Sequence, residues 1–509
     1  MPPIKAALNV WRLIRRPAQG EGAAEMWYNR TMNYFLNIPN KVYGILTALE
    51  RAGFDAYVVG GCVRDLLMGK TPHDWDVTTS AKPDEIKSVF KDRKLVETGL
   101  KHGTVTVVVD GEPFEITTFR SDGAYSDGRH PDSVAFTDDI KTDLARRDFT
   151  MNALAYSPGK GLVDEFGGVG DIKDGVIRCV GDPDERFSED VLRVMRAIRF
   201  TATLGNADPA ERDDGTDGAG QNGPKNAGQN GPDAGNDAGS RNAGRSRAVR
   251  EAEGQMGLIS VLFGAASGFE PDKETLRAVQ NHAGEVGKTS AERITAEFTK
   301  LILGNYAAYA VRKFRRELDT ILRDKGLRIS DRKSVKALEF APKDLALRLA
   351  LVLEADGEDG LRTALAAMKY PAETVKRAAL IKEVSAQELV PEERVIRLEM
   401  RKLAGAYPDE EVPDVLADGV SVRALKGKMN DAATEKTFTV IGGILERGDC
   451  FSRRGLAVGG DDLAESGIPE GELVGKILDA LLDEVIAGET ENEKAALLKR
   501  AAALRGLYR

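Results

Sequence analysis

The strongest constraint on how this chain folds is Val58-Val-Gly-Gly-Cys-Val-Arg-Asp-Leu-Leu-Met-Gly-Lys-Thr-Pro-His-Asp-Trp-Asp-Val77. It reads as an apolar strand, a glycine turn, a short helix, a loop and a second strand. Gly60 and Gly61 would let a phosphate approach the backbone closely. The following helix start and Arg64 would add positive potential. Asp74 and Asp76 stand two apart; on the expected strand both carboxylates face one side. That pair suits Mg²⁺, a hard ion that prefers carboxylate oxygens and substrate phosphates. Taken singly, a Gly-Gly pair is an ordinary turn and an Asp-x-Asp is solvated surface. Their combination on one strand-turn-helix-strand unit is far more specific. The unit lacks the Gly-Lys-Ser/Thr end of a P-loop and the spacing of a dinucleotide fingerprint.

Around this unit the pattern is α/β. Val42, Ile45, Leu46, Leu49 and Phe54 recur at helical spacing. Val105 to Val109 and Phe114 to Phe119 read as strands about the turn Asp110-Gly-Glu-Pro113. After Arg186 the strand signals nearly vanish and helical patterns take over. Residues 205–250 break the pattern: they hold no aromatic residue, and Gly-Gln-Asn-Gly-Pro occurs at 220 and again at 228. Such a segment buries too little surface to offset its ordering entropy, so a disordered insertion is expected. Its arginines Arg241, Arg245, Arg247 and Arg250 leave an RNA-contacting arm as the other reading. The first 31 residues carry a basic amphipathic stretch, Lys5 to Arg16, ahead of a Gly/Ala-rich run. A disordered extension is expected there, a targeting segment being the alternative.

Composition excludes several classes. With 509 residues the length prior is three to four domains. No run approaches the roughly 18 apolar residues of a membrane span. Cys62, Cys179 and Cys450 are far apart and odd in number, which fits neither a disulfide framework nor a paired-cysteine zinc site. A reducing cytoplasm is the expected compartment, and nothing calls for an obligate protein partner. The balance of 72 basic against 81 acidic residues, net −9, argues mildly against nucleic acid. A binding groove needs only local positive charge, however.

Three further segments carry chemistry. Arg120-Ser-Asp-Gly-Ala-Tyr-Ser-Asp-Gly-Arg-His-Pro131 is polar and turn-rich, hence an expected mobile loop. Arg146-Arg-Asp-Phe-Thr-Met-Asn152 places Arg147 beside Asp148. In the segment from Asp182 to Phe200, Ser188, Glu189 and Asp190 read as a helix start. Asp190, Arg193, Arg196 and Arg199 then recur every three residues, near one helical face. Val191, Leu192, Met195, Ile198 and Phe200 would point into the core. A solvated charged face is the plain reading; three arginines with little acidic compensation favour phosphate contact.

Together these segments resemble the polymerase-β-like nucleotidyltransferase superfamily. Within it they resemble the class II tRNA nucleotidyltransferases, the CCA-adding enzymes, and their relatives the bacterial poly(A) polymerases. The likeness is close from Met32 to Gly205 and resumes near Leu258 and in the C-terminal segment. It implies an α+β fold: a mixed-sheet nucleotidyltransferase head followed by all-α neck, body and tail. The expected divisions are an extension at 1–31 and a catalytic head at 32–180. A neck at 181–305, interrupted at about 205–255, would be followed by a body at 306–420 and a tRNA-binding tail at 421–509.

The resemblance also implies roles. Asp74 and Asp76 would hold two Mg²⁺ ions, with Glu115 a third carboxylate or an ordinary strand glutamate. Gly61, Arg64 and Arg147 would meet the nucleotide, Asp148 its ribose, and Arg196 and Arg199 its triphosphate. Glu189, Asp190 and Arg193 would select the base. Cytosine and adenine both present an amine donor beside a ring-nitrogen acceptor. Asp190 can accept from the first while Arg193 donates to the second; guanine and uracil leave both unpaired. The loop at 120–131 would take part in switching from C to A addition. Ser290-Ala-Glu-Arg-Ile-Thr-Ala-Glu-Phe-Thr-Lys300 would be structural. Gly467 to Leu478 and Glu491 to Lys494 would lie in the tail that grips tRNA. Many relatives carry a His-Asp phosphohydrolase, but the four histidines here, His73, His102, His130 and His282, do not supply one. The expected activity is addition of C, C and A to the 3′ end of tRNA from CTP and ATP. Poly(A) polymerase or partial CC or A addition is the alternative, and a non-catalytic RNA-binding relative a more distant one.

Overall fold

Helix α1 (Asn40–Arg51) buries Val42, Ile45, Leu46 and Leu49, the apolar positions read from the sequence. The chain then enters β1 (Ala56–Val59). The turn at Gly60 has φ +82°, which a glycine adopts without strain, and α2 (Gly61–Leu67) follows at once. Strand β2 is Val77–Thr79, α3 Pro83–Val89 and β3 Lys94–Val96. Strands β4 (Thr104–Val109) and β5 (Glu112–Thr118) form a hairpin. Its turn is tighter than expected: only Asp110 (φ 50°) and Gly111 (φ 83°) connect the strands, both left-handed. Next come β6 (Arg120–Asp122), β7 (Val134–Phe136), α4 (Ile140–Ala145), β8 (Ala155–Ser157) and β9 (Gly161–Val163).

Seven of these strands make one mixed sheet in the order β3-β4-β5-β2-β1-β8-β9. All neighbours are antiparallel except β2 and β5, which run parallel with Val77 opposite Ile116. Tyr57 and Val59 of β1 form an apolar cluster with Phe119, Leu144, Ala153 and Val180. Helix α5 (Gly168–Asp174) and β10 (Val176–Ile177) lead to α6 (Pro183–Glu189) and α7 (Leu192–Thr203). Beyond residue 268, β11 (Glu270–Pro271) returns to pair in parallel with β10, and α8 (Lys273–His282) follows.

The computed structural model describes residues 36–97, 99–100, 103–122, 134–204, 268–357 and 359–507. The extension at 1–31, most of the loop at 120–131, the insertion at 205–255 and the first part of the helical run expected from Leu258 lie outside them. The described residues divide into two compact units after His282.

The second unit is built mainly of helices, among them Ala291–Leu303, Ala372–Ala386, Val412–Leu425, Asp431–Arg447, Glu472–Ala487 and Lys494–Leu507. One feature departs from an all-helical expectation. Leu327–Ile329 and Leu353–Ala355 pair antiparallel; three residues are too few to show alternation in a sequence. Near the C-terminus Leu463, Ile477, Leu481, Leu497 and Leu504 share one core. Among the described residues no helix is long and apolar enough to cross a membrane.

Candidate active site

The site has two faces. On the first, Asp74 and Asp76 precede β2 rather than lying on it, because the strand begins at Val77. Asp76 nonetheless continues the ladder: its carbonyl accepts from Val59 N at 3.0 Å. The parallel register, Val77 opposite Ile116, carried back one step sets Asp76 beside Glu115. Asp74, Asp76 and Glu115 then line one open cleft of about 580 Å³ together with His73, Trp75 and Thr106. All three carboxylates are exposed, and none makes a hydrogen bond or ion pair among the described residues. The surrounding protein nevertheless pushes the Asp76 carboxyl above its ordinary value. Arg147 pulls it down and Asp74 adds to the rise. Among the described residues no three His, Cys, Asp or Glu converge tightly enough to enclose a metal.

The second face is an arginine network. A Cβ at Gly60 would lie 3.0 Å from Arg147 Nη1, a tight contact that would push the guanidinium aside, while the φ of +82° is what calls for glycine. Arg64 donates through Nη1 to Asn152 Oδ1 at 2.7 Å and through Nε and Nη2 to Asp65. Asn152 in turn donates to Asp148 Oδ1 at 3.1 Å. Phe149 N donates to the same oxygen at 2.8 Å, and Arg196 Nε to Asp148 Oδ2 at 2.7 Å. Burial pushes the Asp148 carboxyl up, but Arg196 and these hydrogen bonds outweigh it and hold the group well below the usual carboxylate range. Arg64, Arg196 and Arg199 surround the buried Phe200 ring at 5.3, 5.6 and 3.8 Å.

Two residues in this network carried no expectation from the sequence. One is Asn152, which joins Arg64 to Asp148. The other is Asp143, wholly buried on α4. It accepts from Arg146 Nε at 3.0 Å and Arg120 N at 3.3 Å, and more weakly from Arg147 Nη2 and Thr78 Oγ1 at 3.5 Å. It therefore ties the Arg146-Arg147 pair to β2 and to the start of β6. Its spacing of three and four before two arginines was the available signal.

The segment expected to select the base is arranged differently from the sequence reading. The helix does not start at Ser188. It starts at Asp182, whose side chain accepts from Glu185 N, with Pro183 at the first helical position. That cap outcompetes the later one, and Ser188 lies inside α6. The chain then breaks at Asp190 (φ −141°, ψ 96°), and α7 begins at Leu192. Asp190 is thus off the arginine helix, and its carboxylate accepts from Leu192 N at 3.2 Å. Arg193 is buried and donates to Glu189 Oε2 at 2.9 Å and to the carbonyl of Arg186 at 2.6 Å. Burial would raise the Glu189 carboxyl, but Arg186 and Arg193 hold it below its usual value. Val191, Leu192, Met195, Ile198 and Phe200 are buried as expected.

A mixed sheet whose central strands bring acidic residues and a glycine turn together, with arginines alongside, defines a nucleotidyltransferase head. Residues 56–178 match the family described as Poly A polymerase head domain. Residues 268–317 match the family described as Probable RNA and SrmB- binding site of polymerase A, and residues 428–501 the family described as tRNA nucleotidyltransferase domain 2 putative. The CCA-adding enzyme of Limosilactobacillus fermentum is 33% identical over 473 residues, 90% of this chain and 96% of that protein. That of Lactobacillus helveticus is 54% identical over 164 residues, where the chain spans only 41% of the relative's length. The crystal structure of the Bacillus stearothermophilus CCA-adding enzyme with CTP is 28% identical with a TM-score of 0.64, covering 92% of this chain and 98% of that one. A Thermotoga maritima CCA-adding enzyme complexed with tRNA, 18% identical, shares the fold with a TM-score of 0.58 over 94% of this chain and 98% of its own. The chain belongs to the CCA-adding enzyme family.

Proposed function

We propose that this chain adds C, C and A to the 3′ end of tRNA from CTP and ATP, in the cytoplasm, releasing pyrophosphate. The observation that carries this reading is the position of Arg147. Its guanidinium lies over the Gly60 backbone and is close enough to Asp76 to move that group's pKa. Its buried Nε has no hydrogen-bond partner among the described residues. A buried cationic donor without an acceptor is costly; the anion that would satisfy it is a triphosphate laid along the glycine turn. Arg64, Arg196 and Arg199 would extend the same grip.

Asp74 and Asp76 suit Mg²⁺ by their donor chemistry: two exposed carboxylates at the rim of an open cleft leave the remaining positions to phosphate oxygens and water. Bound there, two Mg²⁺ ions would lower the pKa of the tRNA 3′-hydroxyl and offset charge on the α-phosphate and the leaving pyrophosphate. Glu115 would help to position that hydroxyl from β5. Asp148 would accept from the ribose, while Asp190 and Arg193 pair with the Watson–Crick edge of the base. Glu189 holds Arg193 in place. Arg193 is buried and Asp190 half-buried, so a base offering the wrong edge leaves polar groups unsatisfied, which is the physical source of discrimination. The RNA would be recognised by shape and phosphate contact, which tolerates an acidic average charge.

The test is incorporation into tRNA lacking its CCA end, with Mg²⁺ and CTP alone, ATP alone, or both. Two additions with CTP and three with both, followed by a stop, are expected. An unlimited ladder from ATP alone would replace this reading with a poly(A) polymerase.

A further inference from the structure

Asp148 has no acceptor position left for a ribose. A carboxylate offers about four lone-pair sites. Two on Oδ1 are taken by Phe149 N at 2.8 Å and Asn152 Nδ2 at 3.1 Å. Those on Oδ2 are taken by Arg196 Nε at 2.7 Å and Nη2 at 2.5 Å. The partners differ in how readily they leave. Phe149 N is the backbone of the next residue, and Asn152 is pinned from its other side by Arg64. Arg196 reaches in from α7 and keeps 33% of its side chain exposed. It also shares the Phe200 ring with Arg64 and Arg199. Like charges so close repel, and Asp148 compensates the one nearest to it. A bound triphosphate would take over that compensation.

We propose that Arg196 is a specificity-determining latch on Asp148, exchanged from it by the 2′-hydroxyl of an incoming ribonucleotide. The freed guanidinium then turns to the triphosphate, so ribose choice and phosphate grip are one coupled event. A 2′-deoxynucleotide brings no hydroxyl to take the place of Arg196. It forfeits the ribose contact and the Arg196 phosphate contact together. This rests on the nucleotidyl-transfer reading above and adds to it which residue makes that reading ribose-selective.

The experiment compares CTP with dCTP in single-turnover addition to tRNA lacking CCA, using the full chain with Mg²⁺, for the wild type, Arg196→Met and Arg196→Lys. Removing the latch should lower kcat/KM for CTP far more than for dCTP. The ribo-to-deoxy ratio should therefore fall on the order of tenfold, the signature of coupled sites. Arg196→Lys, with charge but no paired donors for Oδ2, should fall between. If both nucleotides decline equally and the ratio is kept, the latch is wrong while nucleotidyl transfer stands. If the wild type incorporates neither, the transfer reading itself fails. Thermal melts check that each variant folds. Calorimetric titration of CTP and dCTP without tRNA gives the same ratio from binding alone if chemistry becomes too slow to follow.

Discussion

The two faces of the site handle their charges in opposite ways. Asp74, Asp76 and Glu115 stand open at a cleft with no bond from their carboxylates to the described residues. Asp143 and Asp148, elsewhere in the same unit, are each held by four donors or more. The open face can take ligands from outside without giving anything up. The satisfied carboxylates can bind only by trading partners. Chemistry that needs metal ions and a mobile RNA end suits the first arrangement. Selection among similar nucleotides suits the second, because a wrong ligand leaves the original bonds broken and unreplaced.

Substitutions should separate the faces by size and kind of effect. The largest is expected on the open face. Asp74→Ala or Asp76→Ala should cut incorporation on the order of 10³-fold and leave tRNA affinity in a filter-binding assay unchanged. Near-normal turnover in either variant would remove that cleft from the reaction. On the satisfied face, Asp190→Ala or Arg193→Ala should relax base choice, with UTP and GTP misincorporation rising roughly 10- to 100-fold relative to CTP. A variant that loses rate but keeps full discrimination would refute base selection by this pair.

Asp143→Asn should act through Arg147. We expect KM for CTP to rise about tenfold with kcat little changed, and urea denaturation to show a loss of roughly 1–3 kcal/mol. An unchanged KM beside that loss would make Asp143 purely structural. The smallest effect has the opposite sign. Protein surroundings first, then Asp74, raise the Asp76 pKa against the pull of Arg147. A carboxyl raised in the folded state gives stability that is full below the unfolded pKa and lost as pH rises through the folded one. In metal-free protein at pH 7.5, Asp76→Asn should therefore raise Tm, by only about 1–2 °C since the side chain meets solvent. Near pH 3 the gain should vanish; a drop in Tm at pH 7.5 would show that Arg147 dominates.

Much of this was legible in the sequence because the informative motifs are short. Gly60, Gly61 and Arg64 sit on one turn and its helix, and β1, β4 and β5 follow from apolar runs, whereas β3, β8 and β9 are three residues each and too short to show a pattern. The pairing of Asp76 with Glu115 was less legible, since it depends on a parallel register between strands separated by a whole hairpin. Asn152 and Asp143 were passed over because an ordinary Asn or Asp gains meaning only from what surrounds it. The helix starts at Asp182 rather than Ser188 for a plain reason. Two cap signals six residues apart compete, and the Asp-Pro pair supplies both an acceptor and a fixed φ. One continuous helix from Ser188 would put Asp190 on the arginine face, whereas the break at Asp190 sets it between the two helices, where it accepts from Leu192 N.

The parallel contact between β2 and β5 has a consequence for how this chain tolerates length changes. Side chains alternate along a strand, so sliding β5 by a single residue would swap Glu115 for Phe114 or Ile116 beside Asp76. Insertions at the Asp110-Gly111 tip leave that alignment alone. An added or deleted residue within Glu112–Thr118 shifts every position beyond it. Drift in length should accumulate at the hairpin tip and be purged from the strand, so the acid at 115 is kept in place by counting residues.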